Sequence, residues 1–349
     1  MKEKRVCAIL CILMMLFMMC STATAQGVLY PHPAVETELT KEEGTVRAAS
    51  GRRWKAVTGE VRRQDMEHGE LRYEVYLPEN YDSTKLYPLV LFLHGGSIGY
   101  LRSNGHTPWT NQLTKYSENF YEAMGECIIF APQAPGAVQS DSKAIGAYWS
   151  EMPTGLVGTE VKDNSAASPY LMAVEKMLSD FLEEGIPYGE NLYKIDQMRL
   201  YVTGHSMGGI GTYTILRDCP DVFAAAIIGA GIGDPDSVEK WRNTKVRILH
   251  GTEDRVIPYK STETMEKALG TAKNAEIIAL EGMGHDIQSF MYALTDVGGR
   301  NENLVWMAAQ KFKEQDSARY MLWILIAVVA GVAVIAGAIW VLKRRKLKS

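Results

Sequence analysis

Cysteine is scarce where it would matter. Of five cysteines, Cys7, Cys11 and Cys20 crowd an apolar N-terminal run, and only Cys127 and Cys219 remain for the rest of the chain. Neither has metal-ligand spacing, so no zinc or iron–sulfur frame is expected. The two thiols could pair in an oxidising exterior or stay buried and unpaired. Net charge is also small: 37 Lys and Arg stand against 41 Asp and Glu, a formal balance of −4. Part of the basic excess sits in the C-terminal tail. The concentrated basic face that nucleic-acid binding needs is therefore missing. No internal repeat and no long low-complexity tract occurs. A nucleotide is not expected either. Gly229-Ala230-Gly231-Ile232-Gly233-Asp234 resembles a dinucleotide fingerprint, but Asp234 replaces its third glycine and Pro235 follows.

The two ends carry targeting signals. Lys2, Glu3, Lys4 and Arg5 precede an uncharged, mostly apolar run from Val6 to Cys20, and Ala23-Thr24-Ala25 follows. This is the pattern of a signal peptide over residues 1–25, cut after Ala25. At the other end, Tyr320 to Leu342 contains no charged residue. About 22 helical residues reach roughly 33 Å, enough to cross the hydrocarbon core. Trp323 and Trp340 lie near its ends, and Lys343, Arg344, Arg345, Lys346 and Lys348 follow it. Indoles favour the interface and basic residues stay inside. The reading is one transmembrane helix at 320–342, a cytoplasmic tail at 343–349 and an extracellular body in the cell membrane. No L-P-x-T-G precedes the span, so the likeness to sortase-processed wall proteins is incomplete.

Roughly 290 residues remain, enough for one large core. Residues 26–68 form a leading segment, of which 26–50 lack periodicity and read as a mobile arm or irregular wrap. Leu71–Leu77 alternates apolar and polar residues, as a half-buried strand does. Pro88–Leu93 and Cys127–Ala131 are continuous apolar runs, the mark of strands covered on both faces. Met198–Thr203, Ala224–Ile228, Val246–Leu249 and Ala275–Leu280 add further strands. Helices are predicted at Asn111–Met124, at Ser168–Glu183 with Ser168 as N-cap and Pro169 at its first position, at Gly209–Arg217 and at Asn303–Phe312. Alternating strands and helices imply an α/β domain over 69–315, with a mostly parallel central sheet and helices on both faces. Ligands bind such sheets beyond the carboxyl ends of the strands.

Chemically loaded residues fall there repeatedly. Gly204-His205-Ser206-Met207-Gly208 fits G-x-S-x-G between a strand and a helix. A serine on that turn projects its hydroxyl above the sheet edge. It needs a base, and the base needs an orienting carboxylate. Among seven histidines, His285 follows the last strand, where a loop can deliver an imidazole over Ser206. Asp254 follows the penultimate strand and is the carboxylate of choice. Its neighbour Glu253 stays open, and Asp286 is the weaker third. The oxyanion donors expected are the N–H groups of Met207 and of Gly96, with Gly95 second, in Leu93-His94-Gly95-Gly96. Residues 132–167 make an unusually long connection, in which Trp149 either stacks on an aromatic or sugar group or packs the loop down. Gly95, Trp149 and His205 are the candidate substrate contacts.

With these motifs and Tyr73-Glu74-Val75-Tyr76-Leu77-Pro78, the chain resembles the α/β-hydrolases. The likeness is to the carboxylesterase, phospholipase and dienelactone-hydrolase group, near feruloyl-esterase-like and prolyl-oligopeptidase-like members. It spans about residues 70–312 and is specific for the superfamily rather than for a substrate. The order Ser206, Asp254, His285 is that of this superfamily. The resemblance implies a serine hydrolase with an acyl-enzyme intermediate, no cofactor and no metal. Its expected substrate is a small-molecule or carbohydrate-linked ester. A peptidase acting on short peptides, and an inactive hydrolase fold serving as a binding module, are the alternatives. Two departures stand out. No propeller-sized domain precedes the fold, and Ser97 replaces the third glycine of H-G-G-G.

Overall fold

The strands Tyr87–Leu93 and Ala225–Gly229, and the carboxyl halves of Ile195–His205 and Lys245–Gly251, are buried because helices cover the sheet on both sides. Alternate residues of these strands feed two separate cores. Leu89, Leu91, Leu93, Leu200 and Val202 enter one, and Val90, Phe92 and Tyr201 enter the other. The computed structural model describes residues 32, 35–48, 50–67, 69–96, 110–140, 143–147, 149–150, 166–293 and 300–312.

In chain order the elements begin with the strands β1 (Thr37–Leu39), β2 (Glu42–Arg47), β3 (Arg53–Arg63), β4 (Leu71–Pro78) and β5 (Tyr87–Leu93). Helix α1 (Thr110–Met124) precedes β6 (Ile128–Gln133) and the hairpin of β7 (Gly136–Ser140) and β8 (Lys143–Ala147). Helix α2 (Pro169–Glu184), the small ribbon β9 (Ile186–Tyr188) and β10 (Asn191–Tyr193), and β11 (Ile195–His205) come next. Then follow α3 (Met207–Asp218), β12 (Ala225–Gly229), a 3-10 turn at Pro235–Trp241, β13 (Lys245–Gly251), α4 (Lys260–Leu269), β14 (Ala275–Leu280), α5 (Gln288–Tyr292) and α6 (Glu302–Ala308). Ser168 caps α2, as expected, by accepting the N–H of Leu171 at 3.2 Å.

The main sheet runs β1-β3-β4-β6-β5-β11-β12-β13-β14, with β2 also paired to β3. From β6 to β14 the strands are parallel. The leading strands and β4 are antiparallel, so the sheet is mixed. This corrects the reading of residues 26–50 as irregular throughout. β1 and β2 are real strands on the exposed edge, with almost every residue solvent-facing. Backbone pairing to β3 holds them, and pairing without burial leaves no hydrophobic period to read.

Cys127 and Cys219 are both buried, and neither is in a disulfide. The expected signal peptide at 1–25, the span at 320–342 and the basic tail at 343–349 lie outside the described residues. Among the described residues, no helix is long and apolar enough to cross a membrane.

Candidate active site

Ser206 sits between the end of β11 and the start of α3 with φ 59° and ψ −121°. That left-handed φ is unfavourable for a residue with a Cβ. The surroundings hold it there. Ser206 N–H donates to the Gly229 carbonyl at 2.9 Å, and its own carbonyl accepts the Ile210 N–H at 3.0 Å. The two motif glycines are steric necessities. A Cβ at Gly208 would overlap the Leu93 carbonyl, and one at Gly204 would overlap the Gly208 carbonyl. Strand β5, strand β11 and helix α3 therefore approach backbone to backbone under the serine.

The loops after β13 and β14 converge on it. Asp254 and His285 come from these two loops, which are joined by the Glu253 N–H donating to the Met283 carbonyl at 2.9 Å. Ser206 Oγ lies 2.8 Å from His285 Nε2. His285 Nδ1 lies 2.7 Å from Asp254 Oδ2. The consistent assignment is serine O–H donating to Nε2 and Nδ1–H donating to the carboxylate. Asp254 is fixed from both sides. Its Oδ1 accepts the N–H groups of Val256 at 2.8 Å and Ile257 at 2.9 Å. Burial works to raise its carboxyl, and the bonds from His285 and those two N–H groups outweigh it, holding the group below the usual carboxylate range. Asp254 thus faces His285 as an anion. Glu253 and Asp286, the other candidates, are exposed.

His250 supports this carboxylate from below. Its Nε2 is 3.2 Å from Asp254 Oδ2 and 2.9 Å from the Ile257 carbonyl, and its Nδ1 is 2.7 Å from Thr262 Oγ1. Burial lowers its pKa, so the ring stays neutral, with Nε2–H donating and Nδ1 accepting the threonine hydroxyl. The sequence reading missed this role. The motif His250-Gly251 was visible, but ring partners on a later turn and helix were not.

Gly96 and Met207 are neighbours. A Cβ built on Gly96 would stand 3.9 Å from both Cβ and Sδ of Met207. His94 aims this loop. Its Nδ1–H donates to the Gly95 carbonyl at 2.8 Å, and its Nε2 accepts the Ala134 N–H at 3.0 Å. A trans peptide points its N–H opposite its carbonyl, so the Gly96 N–H is turned away from the His94 ring. Burial pushes the His94 pKa down to about 4, which preserves the neutral tautomer this geometry requires.

Of the expected substrate contacts, His205 is corrected, and Trp149 takes the second of its two expected roles, packing the loop down. Trp149 is fully buried and its indole N–H donates to the His94 carbonyl at 3.0 Å. It lies against Gly211 of α3 and edge-on to His94, so its ring is not available for stacking on a ligand. His205 is 6% exposed, and its Nε2–H donates to the His285 carbonyl at 2.7 Å. Its ring holds the loop that carries His285. Gly95 is buried beneath the turn, near Ser206 Cβ.

A mixed sheet, a strained serine at its strand-to-helix turn, and an imidazole and carboxylate from the next strand ends define a serine hydrolase of the α/β-hydrolase superfamily. The Esterase family model matches residues 65–318, and the chain belongs to that family. It is similar to dipeptidyl-peptidase 5 of Porphyromonas gingivalis, with 27% identity over 209 residues, covering 60% of this chain and 24% of the peptidase. The chain therefore spans about a quarter of that curated relative. Among solved structures, a thermostable esterase shares 24% identity, covering 81% of this chain and 62% of that one, with a TM-score of 0.45. An S-formylglutathione hydrolase from Agrobacterium tumefaciens shares 16% identity over 76% of this chain and 97% of that one, with a TM-score of 0.42. A ferulic acid esterase from Anaeromyces mucronatus shares 17% identity over 83% of this chain and 95% of that one, with a TM-score of 0.39.

Proposed function

We propose that this hydrolase cleaves carboxylic esters by acyl transfer through Ser206. The observation that carries the reading is the unbroken line from Ser206 Oγ to His285 Nε2 at 2.8 Å and from His285 Nδ1 to Asp254 Oδ2 at 2.7 Å. His285 takes the serine proton as Oγ attacks the ester carbonyl. Asp254 holds the resulting imidazolium in place. The N–H groups of Met207 and Gly96 receive the oxyanion, and each such donor is worth about 3 kcal/mol in a transition state. His285 then protonates the departing alkoxide. Water, deprotonated by the same imidazole, releases the acid and restores Ser206.

The substrate is a small-molecule or carbohydrate-linked ester, in keeping with family membership. The site works outside the cell, tethered by residues 320–342. That placement rests on the sequence of the two ends: a cleavable leader, an uncharged apolar run and a basic tail. A second reading, a peptidase on short peptides, is favoured by the match to dipeptidyl-peptidase 5.

A fluorophosphonate probe is expected to label the wild-type chain and not Ser206→Ala. Turnover of a panel of acetyl, butyryl, longer acyl and feruloyl esters is expected to fall by about 10⁴-fold or more in the variant. Equal labelling of both proteins removes the nucleophile assignment. Cleavage of prolyl-peptide amides in preference to every ester moves the protein to the second reading. Ligand binding with no turnover of any ester or amide makes it a binding module.

A further inference from the structure

A second cluster of reactive side chains lies at the far end of α3 from Ser206. One donor atom each of His32, Glu175 and Asp218 lies within 4.8 Å of the other two. The three come from distant parts of the chain. His32 precedes β1, Glu175 is in the middle of α2, and Asp218 is the last residue of α3. His32 Nε2 stands 2.8 Å from Glu175 Oε2.

Glu175 is the anomaly. Its side chain is fully buried, and its Oε1 has no hydrogen-bond partner among the described residues. A buried carboxylate that is ionised and half satisfied is costly. Burial pushes its carboxyl up to about 7, even with His32 pulling it down. The imidazole can offer Oε2 a single N–H, and that leaves the second oxygen bare.

Asp218 adds a further carboxylate. Arg217 donates to its Oδ1 at 2.7 Å and its Oδ2 at 3.0 Å, and each oxygen keeps a further lone pair. As the last residue of α3, Asp218 also lies where the helix dipole favours a cation. The other neighbouring cation, Arg63, is engaged by Asp65 through two bonds of 2.9 and 2.8 Å.

We propose that His32, Glu175 and Asp218 bind one divalent cation of the zinc type, through imidazole Nε2 and one oxygen of each carboxylate, with water completing the shell. Ligands about 2.1 Å from a tetrahedral zinc lie roughly 3.4 Å apart, so the 2.8 Å pair of His32 and Glu175 needs only a small opening. Imidazole among the donors favours zinc over magnesium or calcium. The cation would satisfy the buried carboxylate and pin the segment before β1 to α2 and α3. It would stand a whole helix away from Ser206, about 16 Å along α3, so its part is structural.

The test uses the full chain, stripped with a chelator and titrated with Zn²⁺. Bound metal and melting temperature are the readouts. One zinc per chain and a rise in melting temperature are expected. Glu175→Gln keeps the shape of the buried side chain and removes its charge. His32→Gln changes a residue near the surface. Each is expected to weaken zinc binding by about 100-fold or more, while turnover of the best ester is unchanged. No binding at about 1 mM free zinc, or equal binding by wild type and both variants, overturns the proposal. So does a preference for Mn²⁺ or Ca²⁺ over Zn²⁺ at the same residues, which overturns the zinc assignment.

Discussion

The ring of His205 holds the backbone of His285. Nε2–H of the first donates to the carbonyl of the second at 2.7 Å, and the two rings lie 4.9 Å apart. Gln288 stands 3.3 Å from His205 Nδ1 on the other side. The residue before Ser206 thereby fixes the loop that brings His285 to it. Losing this bond should displace His285 without removing any group from the reaction. Misplacement of about 1 Å can cost 10²-fold in rate. His205→Ala is therefore expected to lower kcat by about 10- to 100-fold with KM changed less than about twofold. His205→Gln, whose amide can donate to the same carbonyl, is expected to recover most of kcat. Steady-state kinetics on one ester decides this. A rise in KM alone would return His205 to the role of substrate contact.

The same histidine predicts a pH effect on stability. Burial depresses its pKa from 6.5 to about 4 in the folded chain. Between those values only the unfolded chain takes up the proton. Stability is full above 6.5 and falls as the pH drops toward 4, by a total on the order of 3 kcal/mol for this group. Glu175 acts oppositely. Its carboxyl is raised from 4.5 to about 7, so the folded chain takes up the proton first and stability grows as the pH falls through that window. The wild-type curve mixes both signs. The difference between wild type and His205→Gln isolates the histidine. Melting temperatures from pH 7.5 to 4.5 are expected to fall less steeply in the variant, and parallel curves would refute the assignment.

Trp149 and His94 supply a third prediction. The indole N–H donates to the His94 carbonyl, and His94 in turn aims the Gly95–Gly96 peptide. Trp149→Phe keeps most of the packing and leaves that buried carbonyl without its donor. A loss of about 1–3 kcal/mol in stability is expected. A modest fall in kcat with unchanged KM should accompany it, because the Gly95–Gly96 loop, the proposed oxyanion donor, loosens. Were the indole a substrate platform, KM would rise and the melting temperature would hold. Denaturant unfolding and kinetics on the same preparation separate these outcomes.

What the sequence made legible has a physical pattern. Strands β5, β11, β12 and β13 were readable because burial on both faces demands apolar runs. The serine turn was readable because Gly204 and Gly208 are forced by backbone contact. Asp254 was the carboxylate of choice, with its neighbour Glu253 left open. What separates them is reach: the shorter side chain folds back onto the N–H groups of Val256 and Ile257, while Glu253 points to solvent. The edge strands β1 and β2 left no trace because they pair without burying side chains. The roles of His205 and His250 were equally silent. Each ring contacts backbone carbonyls, and any residue type can supply a carbonyl, so no partner marks itself in the sequence.

Ser206 predicts a conflict between stability and chemistry. Its φ of 59° lies in the left-handed region, where a Cβ is strained and glycine is at ease. Residues held in such conformations cost about 1–3 kcal/mol, which the surrounding bonds must outweigh. Ser206→Ala keeps the Cβ and hence the strain. Ser206→Gly removes both the nucleophile and the strain, although glycine also gives the unfolded chain more freedom. Relief should win, since Ser206 is pinned by the bonds of its N–H to Gly229 and of its carbonyl to Ile210. Ser206→Gly is expected to be about 1 kcal/mol more stable than Ser206→Ala, which corresponds to roughly 2–4 °C in melting temperature. Both variants should be inert toward the fluorophosphonate probe. A glycine variant less stable than the alanine variant would mean that any stored strain is smaller than the freedom glycine adds to the unfolded chain. The left-handed serine would then aim the hydroxyl at His285 with little energy held in the turn.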